Sequence, residues 1–106
     1  MINQKPTYQL LKWLLTTTRG GNTRVQILKT LKQTPQNTNQ LATQLKRSYK
    51  TISHHLSVLE KHKLVINIGD KYGTTYFLSQ TMEENYTILQ EITNTKKTIK
   101  IAQKSC

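Results

Sequence analysis

The sequence has little cysteine, few acidic residues and no long apolar run. Its one cysteine, Cys106, is the last of the 106 residues, which excludes an intrachain disulfide and a thiolate metal cluster. No apolar stretch approaches the roughly 20 residues that a membrane-spanning helix needs, and the N-terminus lacks a secretory signal pattern. We therefore expect a cytoplasmic protein.

The few acidic residues are also unevenly placed. The chain has 16 Lys and Arg against 5 Asp and Glu, a formal net charge of +11, and all five acids lie at position 60 or later. Residues 1–59 carry nine basic groups and no carboxylate, so this half cannot easily neutralise itself through internal ion pairs. The charge favours nucleic acid as the partner, with an anionic membrane surface as a weaker alternative.

The residues give little basis for catalysis. There is no recognisable nucleophile, base and orienting acid, no glycine-rich phosphate loop, and only five carboxylates in all. His54 and His55 are adjacent and would point about 100° apart on a helix. His55 and His62 could approach each other, but we expect no metal site, no cofactor and no enzyme activity.

Apolar residues recur every three or four positions in four segments of the first two thirds of the chain, as in amphipathic helices. Asn22 and Ser48 are suitable N-caps for the second and fourth segments. The predicted helices are about Tyr8–Leu15, a second from Asn22 that stops before Pro35, a short third from Thr38, and a fourth from Ser48 to about Lys63.

The apolar period changes after the fourth helix. The segments LVINI and TTYFLS are rich in β-branched and aromatic residues and are separated by Gly69–Gly73, which predicts a β-hairpin over about 64–79. Thr81 to Glu84 reads as a capping box that begins a long last helix over about 81–103. The fold class is therefore mainly α with a small β-hairpin, in a single domain covering 1–106.

The third helix, a short turn and the fourth helix, followed at once by a hairpin, make a unit suited to reading DNA (helix-turn-helix about 38–63, wing about 64–79). The third helix braces the fourth, whose exposed face can enter a major groove about 12 Å wide. Because Ile52, Leu56 and Leu59 share the core side, the polar side faces outward. We predict base contacts from Tyr49, Lys50, Ser53 and His54. Predicted backbone contacts are Thr38, Asn39, Gln40, Lys46, Arg47, Thr51, Ser57, Lys61, Lys71 and Tyr72.

Four segments carry a family resemblance: RVQILKTL at Arg24–Leu31, Gln40-Leu41-Ala42, ISHHL at Ile52–Leu56, and Tyr76-Phe77-Leu78. Together they resemble the winged helix-turn-helix regulators of the ArsR-like group, especially archaeal single-domain members. The resemblance implies binding of double-stranded DNA and a homodimer formed by N- and C-terminal dimerisation helices. Thr43 and Gln44, and the lack of a histidine after His62, depart from the metal-sensor patterns of that group.

The apolar content of the terminal helices also favours a dimer, because so small a domain has little interior left to cover it. The predicted interface residues are Leu11, Leu14, Leu15, Met82, Tyr86, Leu89 and Ile92. Two alternatives stay open. A winged helix can serve as an RNA-binding or protein-docking module without operator specificity, and the helix around Trp13 could lie on a membrane surface.

Overall fold

The computed structural model describes residues 6–17, 19–70 and 73–93. Its mainly helical fold, with a two-stranded hairpin after the fourth helix, confirms the predicted fold class. The described elements are helix α1 (Pro6–Lys12), a π-helical turn (Trp13–Thr17), α2 (Gly21–Gln33), α3 (Thr38–Leu45), α4 (Tyr49–Lys61), strands β1 (Val65–Asp70) and β2 (Gly73–Leu78), α5 (Gln80–Glu84) and α6 (residues 86–93).

The N-terminal segment stays helical further than predicted. Residues 13–17 form a π-helical turn, in which the Thr16 hydroxyl donates to the Lys12 carbonyl oxygen over 2.5 Å. The predicted Asn22 cap of α2 is wrong. Gly20, with φ 89° in the left-handed region, is the N-cap, and α2 begins at Gly21, because glycine adopts that backbone conformation without steric cost.

The core lies among the N-terminal segment, α2, α3 and α4, and it also includes side chains of β1 and the last helices. Its largest fully buried side chains are Leu11, Leu14, Ile27, Leu28, Leu41, Ile52, Leu56, Leu59, Leu64, Val65, Met82 and Leu89. Such close packing of apolar side chains is the main favourable term that holds α3 and α4 at a fixed angle.

The same core corrects the premise of the dimer argument. The expectation that apolar side chains of the terminal helices would form an exposed stripe is wrong, because one chain already buries most of them. Of the predicted interface residues, Tyr86 and Ile92 are half-buried. The buried ones are Leu11, Leu14, Leu15, Met82 and Leu89. A dimer interface on these helices would have to use side chains other than the five buried ones.

The hairpin pairs β1 with β2 in antiparallel register from Val65 opposite Leu78 to Asp70 opposite Gly73. Tyr76 in β2 also forms a bridge with Gln36 in the loop between α2 and α3. The Tyr76 N–H donates to the Gln36 carbonyl oxygen over 2.8 Å. The wing is thus tied to the loop that leads into α3.

The start of the last helical region differs from the prediction. Ser79, and not Thr81, is the N-cap, since its side chain accepts the Met82 N–H. A turn at Asn85 separates α5 from α6, so the described part is not one continuous helix. Residues 94–103 of the predicted helix lie outside the described residues.

Candidate nucleic-acid interface

Helix α3 has a complete N-terminal cap. The Asn37 side chain accepts the Gln40 N–H over 2.8 Å, and the Gln40 side chain accepts the Asn37 N–H over 2.8 Å. The reciprocal bonds satisfy two backbone donors that a helix start otherwise leaves open. Gln40, predicted to contact a phosphate, therefore has its side-chain oxygen engaged in the cap, while the neighbouring Asn39 is exposed and Thr38 is half-buried.

Ser48 is the N-cap of helix α4, as predicted. The Ser48 hydroxyl accepts the Thr51 N–H over 3.1 Å and donates to the Thr51 hydroxyl over 2.9 Å. Between α3 and α4, Lys46 adopts the left-handed backbone conformation with φ 58° and ends α3 after Leu45. The turn leaves Lys46 and Arg47 exposed.

The two sides of α4 are sharply different. Ile52, Leu56 and Leu59 are fully buried, as the periodicity predicts. The residues predicted to contact DNA are on the other side: Tyr49, Lys50, Thr51, His54, Ser57 and Lys61 are exposed, and Ser53 is half-buried. The Tyr49 ring is 56% exposed, although an aromatic ring of this size is usually covered, so it is available to a partner.

A cleft joins two of the predicted contact regions and the start of β2. It has a volume of about 340 Å³ and is lined by Asn37, Thr38, Asn39, Tyr49, Gly73 and Thr74. The start of α3, the start of α4 and the start of β2 therefore meet on one surface. Sequence reasoning placed wing contacts at Lys71 and Tyr72, which lie outside the described residues, and did not include Gly73 and Thr74.

Only one acid belongs to α4. Glu60 accepts a hydrogen bond from the Asn67 side-chain amide of β1, so its charge is turned toward the wing. Burial, with Glu60 and Tyr49 nearby, raises the pKa of the Tyr76 hydroxyl. Tyr76 therefore stays neutral at ordinary pH, and the exposed cations Lys46, Arg47 and Lys50 dominate the charge around the start of α4.

Sequence reasoning missed the role of two residues, Arg24 and His55. Arg24 belongs to the basic half that we expected to face a polyanion, yet it is only 7% exposed. Its Nε–H donates to Nδ1 of His55 over 3.2 Å, and its Nη1–H donates to the Leu14 carbonyl oxygen over 3.1 Å. Burial lowers the pKa of His55, and the charges of Arg24, His54 and Arg47 lower it further.

The described residues hold no group of three or more His, Cys, Asp or Glu side chains that could bind a metal ion. The His54 and His55 rings lie 5.5 Å apart at a tilt of 59°. In the same part of the chain, no helix is long and apolar enough to cross a membrane.

Residues 21–67, from the start of α2 into β1, match the sequence profile of the family described as bacterial regulatory proteins, arsR family. This segment, which is less than half of the chain, is similar to the ArsR family of winged helix-turn-helix regulators. No curated protein sequence matches the chain significantly. The ArsR-like segment contains α3, its turn and α4, which are the elements that build the exposed face described above.

Solved structures of other proteins share the fold of this chain. The transcriptional regulator BldR from Sulfolobus solfataricus superposes with a TM-score of 0.67 at 16% identity, over 93% of this chain and 72% of that one. The adhesin competence repressor AdcR from Streptococcus pyogenes superposes with a TM-score of 0.62 at 20% identity, over 92% of this chain and 75% of AdcR. ZitR from Lactococcus lactis, solved in complex with DNA, superposes with a TM-score of 0.61 at 19% identity, over 86% of this chain and 63% of ZitR. At these identities the superpositions show that the fold is shared.

Proposed function

We propose that this chain is a sequence-specific regulator of transcription that binds double-stranded DNA as a homodimer, with α4 in the major groove and the hairpin on the flanking backbone. One observation carries the proposal. Helix α4 is held by its apolar side in the core, while the opposite side exposes Tyr49, Lys50 and His54. A helix presented in this way matches the width of the major groove.

The exposed residues have two roles in this proposal. Residues in the first turns of a recognition helix reach base edges, so Tyr49, Lys50, Ser53 and His54 read the sequence. The remaining contacts go to phosphates and set the register of the protein on the duplex without carrying sequence information. Those residues are Thr38, Asn39, Gln40, Lys46, Arg47, Thr51, Ser57, Lys61, Lys71 and Tyr72.

The surroundings of this face support a polyanionic partner. Lys46, Arg47, Lys50 and Lys61 are all exposed there, and none of them pairs with a carboxylate of the described residues. By contrast, Lys32 pairs with Glu83 over 2.6 Å on another part of the molecule. Phosphates are the natural counter-charge for the unpaired cations, and such a regulator would work in the cytoplasm with the DNA it controls.

The homodimer is the less direct part of the proposal. It rests on the resemblance and on exposed aromatic rings of the N-terminal segment, Tyr8 at 37% and Trp13 at 53%. With the half-buried Tyr86 and Ile92 they offer apolar surface to a second copy. A two-fold axis would set the two α4 helices about 34 Å apart, on successive major grooves of one DNA face.

Selection of bound duplexes from a random DNA pool tests this function. We expect an inverted repeat whose half-site centres are about 10 to 11 base pairs apart, or a multiple of that spacing. The selected duplex should then compete with structured RNA and with anionic vesicles for the protein. Recovery of no preferred sequence, together with equal or tighter binding of RNA or vesicles, would contradict the proposal.

A further inference from the structure

The guanidinium of Arg24 links α4 to two other segments of the chain through polar contacts. Arg24 of α2 contacts His55 of α4 and the carbonyl oxygen of Leu14 in the π-helical turn. Both Arg24 and His55 are almost completely buried. Three segments of the chain therefore meet at this one side chain. Neither of these two hydrogen bonds belongs to the backbone pattern of a helix.

The hydrogen bond fixes the protonation state of His55. The Nε–H of arginine can only donate, so Nδ1 of His55 must carry a lone pair and the ring proton must be on Nε2. An imidazolium has no acceptor and would face the guanidinium as a second cation. The titratable and charged groups acting on His55 are Arg24, His54 and Arg47, all bases, so each disfavours protonation.

The His55 ring is also held on a second side. A Cβ added at Gly20 would lie 2.6 Å from Cε1 of the ring, so the ring occupies space that any other residue at position 20 would fill. The polar side of α4 that we propose to contact bases, with Tyr49, Lys50, Ser53 and His54, is called the reading face. His55 immediately follows His54, which is exposed on that face. The contacts of the buried ring therefore help to fix the position of the helix that carries the residues we propose to contact bases.

We propose that Arg24 and neutral His55 are positioning residues that hold α4 at its DNA-binding angle, and that protonation of His55 releases this contact and weakens DNA binding in acid. The inference rests on the proposed function, since it concerns how the reading face is held. Neither residue touches DNA in this arrangement. Their effect passes through the orientation of α4.

The sign of the effect separates it from the general electrostatic effect of acid. Added positive charge on a protein strengthens its binding to a polyanion such as DNA. Protonation of His55 acts in the opposite direction, because it releases the contact that holds α4.

The test measures affinity for the selected duplex by fluorescence anisotropy from pH 8 to pH 5 at constant ionic strength. We expect wild-type affinity to fall in acid, by at most about tenfold per pH unit for each His55 in the complex, because each takes up one proton. His55→Asn places an acceptor near the position of Nδ1 and cannot be protonated. This variant should bind the duplex at pH 8 more weakly than the wild type does, and its affinity should not fall as the pH is lowered.

Three further variants complete the test. Arg24→Gln can still donate to Nδ1 but removes a cation beside His55, so the midpoint of the acid fall should move to higher pH. His54→Gln removes a charge that lowers the pKa of His55, so it should also move the midpoint to higher pH. His62→Gln, at the end of α4, is the matched control and should keep the wild-type midpoint.

The outcomes distinguish this inference from the proposed function. If the wild type binds no duplex specifically at pH 8, the proposed function fails. If it binds at pH 8 but shows no acid fall, or if His55→Asn shows the same fall, the positioning role is overturned. Should His55→Asn fail to fold by circular dichroism, Arg24→Gln decides the question, and an unchanged midpoint in that variant overturns the inference.

Discussion

The hydroxyl of Ser79 donates to the carbonyl oxygen of Lys63 over 2.8 Å, and the same Ser79 oxygen accepts the N–H of Met82 over 3.0 Å. One side chain thus ties the segment after α4 to the end of the hairpin and also caps α5. The Ser79 N–H adds a third link, since it donates to the Leu64 carbonyl oxygen over 3.0 Å.

Replacement of this residue should destabilise the fold. Ser79→Ala leaves the buried Met82 N–H without its acceptor, so we expect the free energy of unfolding to fall by about 1–2 kcal/mol. Urea unfolding measures the change. Thr81→Ala is the control, because Thr81 is exposed and makes no cap, and it should stay within about 0.5 kcal/mol of the wild type. Equal losses in the two variants would contradict the cap assignment.

Gly20→Ala should also reduce stability, for two separate reasons. A left-handed backbone costs an L-residue about 1–2 kcal/mol, and the new Cβ would overlap Cε1 of His55. Gly73→Ala is the control. Its backbone is also strained, with φ 140°, but no atom lies within 4 Å of the added Cβ. A double-mutant cycle with His55→Ala isolates the overlap. If the two substitutions are additive, the ring does not occupy that space.

Reading residues and phosphate contacts should behave differently as variants. Lys50→Ala or His54→Ala should weaken the preferred site by about 1–3 kcal/mol and broaden its sequence. Lys61→Ala should weaken all sequences alike and make the salt slope shallower by about one. The measurements are anisotropy titrations on the selected and scrambled duplexes. Unchanged affinity and sequence preference in both Lys50→Ala and His54→Ala would show that α4 is not the reading element.

The oligomeric state is open to a direct measurement. Light scattering at micromolar concentration should give about twice the chain mass of 12.3 kDa. Leu89 is fully buried within one chain, so Leu89→Asp would test folding and not association. Ile92→Asp is a better probe, because Ile92 is half-buried, and it should shift the protein toward monomer while circular dichroism stays unchanged. A wild-type mass near that of one chain would exclude the homodimer.

Stability should depend on pH through His55. Burial and the Arg24 charge lower the pKa of His55 below its ordinary value of 6.5. As the pH falls through that value, the unfolded chain therefore takes up the proton first, and native stability decreases until the folded pKa is passed. The urea midpoint of the wild type should drop between pH 7.5 and pH 5 more than that of His55→Asn. Equal drops would assign the effect to other groups.

The sequence by itself determined the elements that are local in origin. The spacing of Ile52, Leu56 and Leu59 defines which side of α4 is apolar, and Ser48 can cap only the helix that follows it. The hairpin follows from the change to β-branched and aromatic residues after Leu64. Each of these features depends on residues a few positions apart, so the period of the side chains is sufficient to predict it.

Only the tertiary structure decided which groups far apart in the sequence would meet. The spacing of the leucines at 11, 14 and 15 predicts an apolar face but does not say whether the same chain or a second copy covers it. Arg24 looks like any other basic residue of the first half until the fold places His55, 31 positions away, against its guanidinium. Its environment, and hence its role, depends on how α2 packs against α4, and no local pattern of residues encodes that packing.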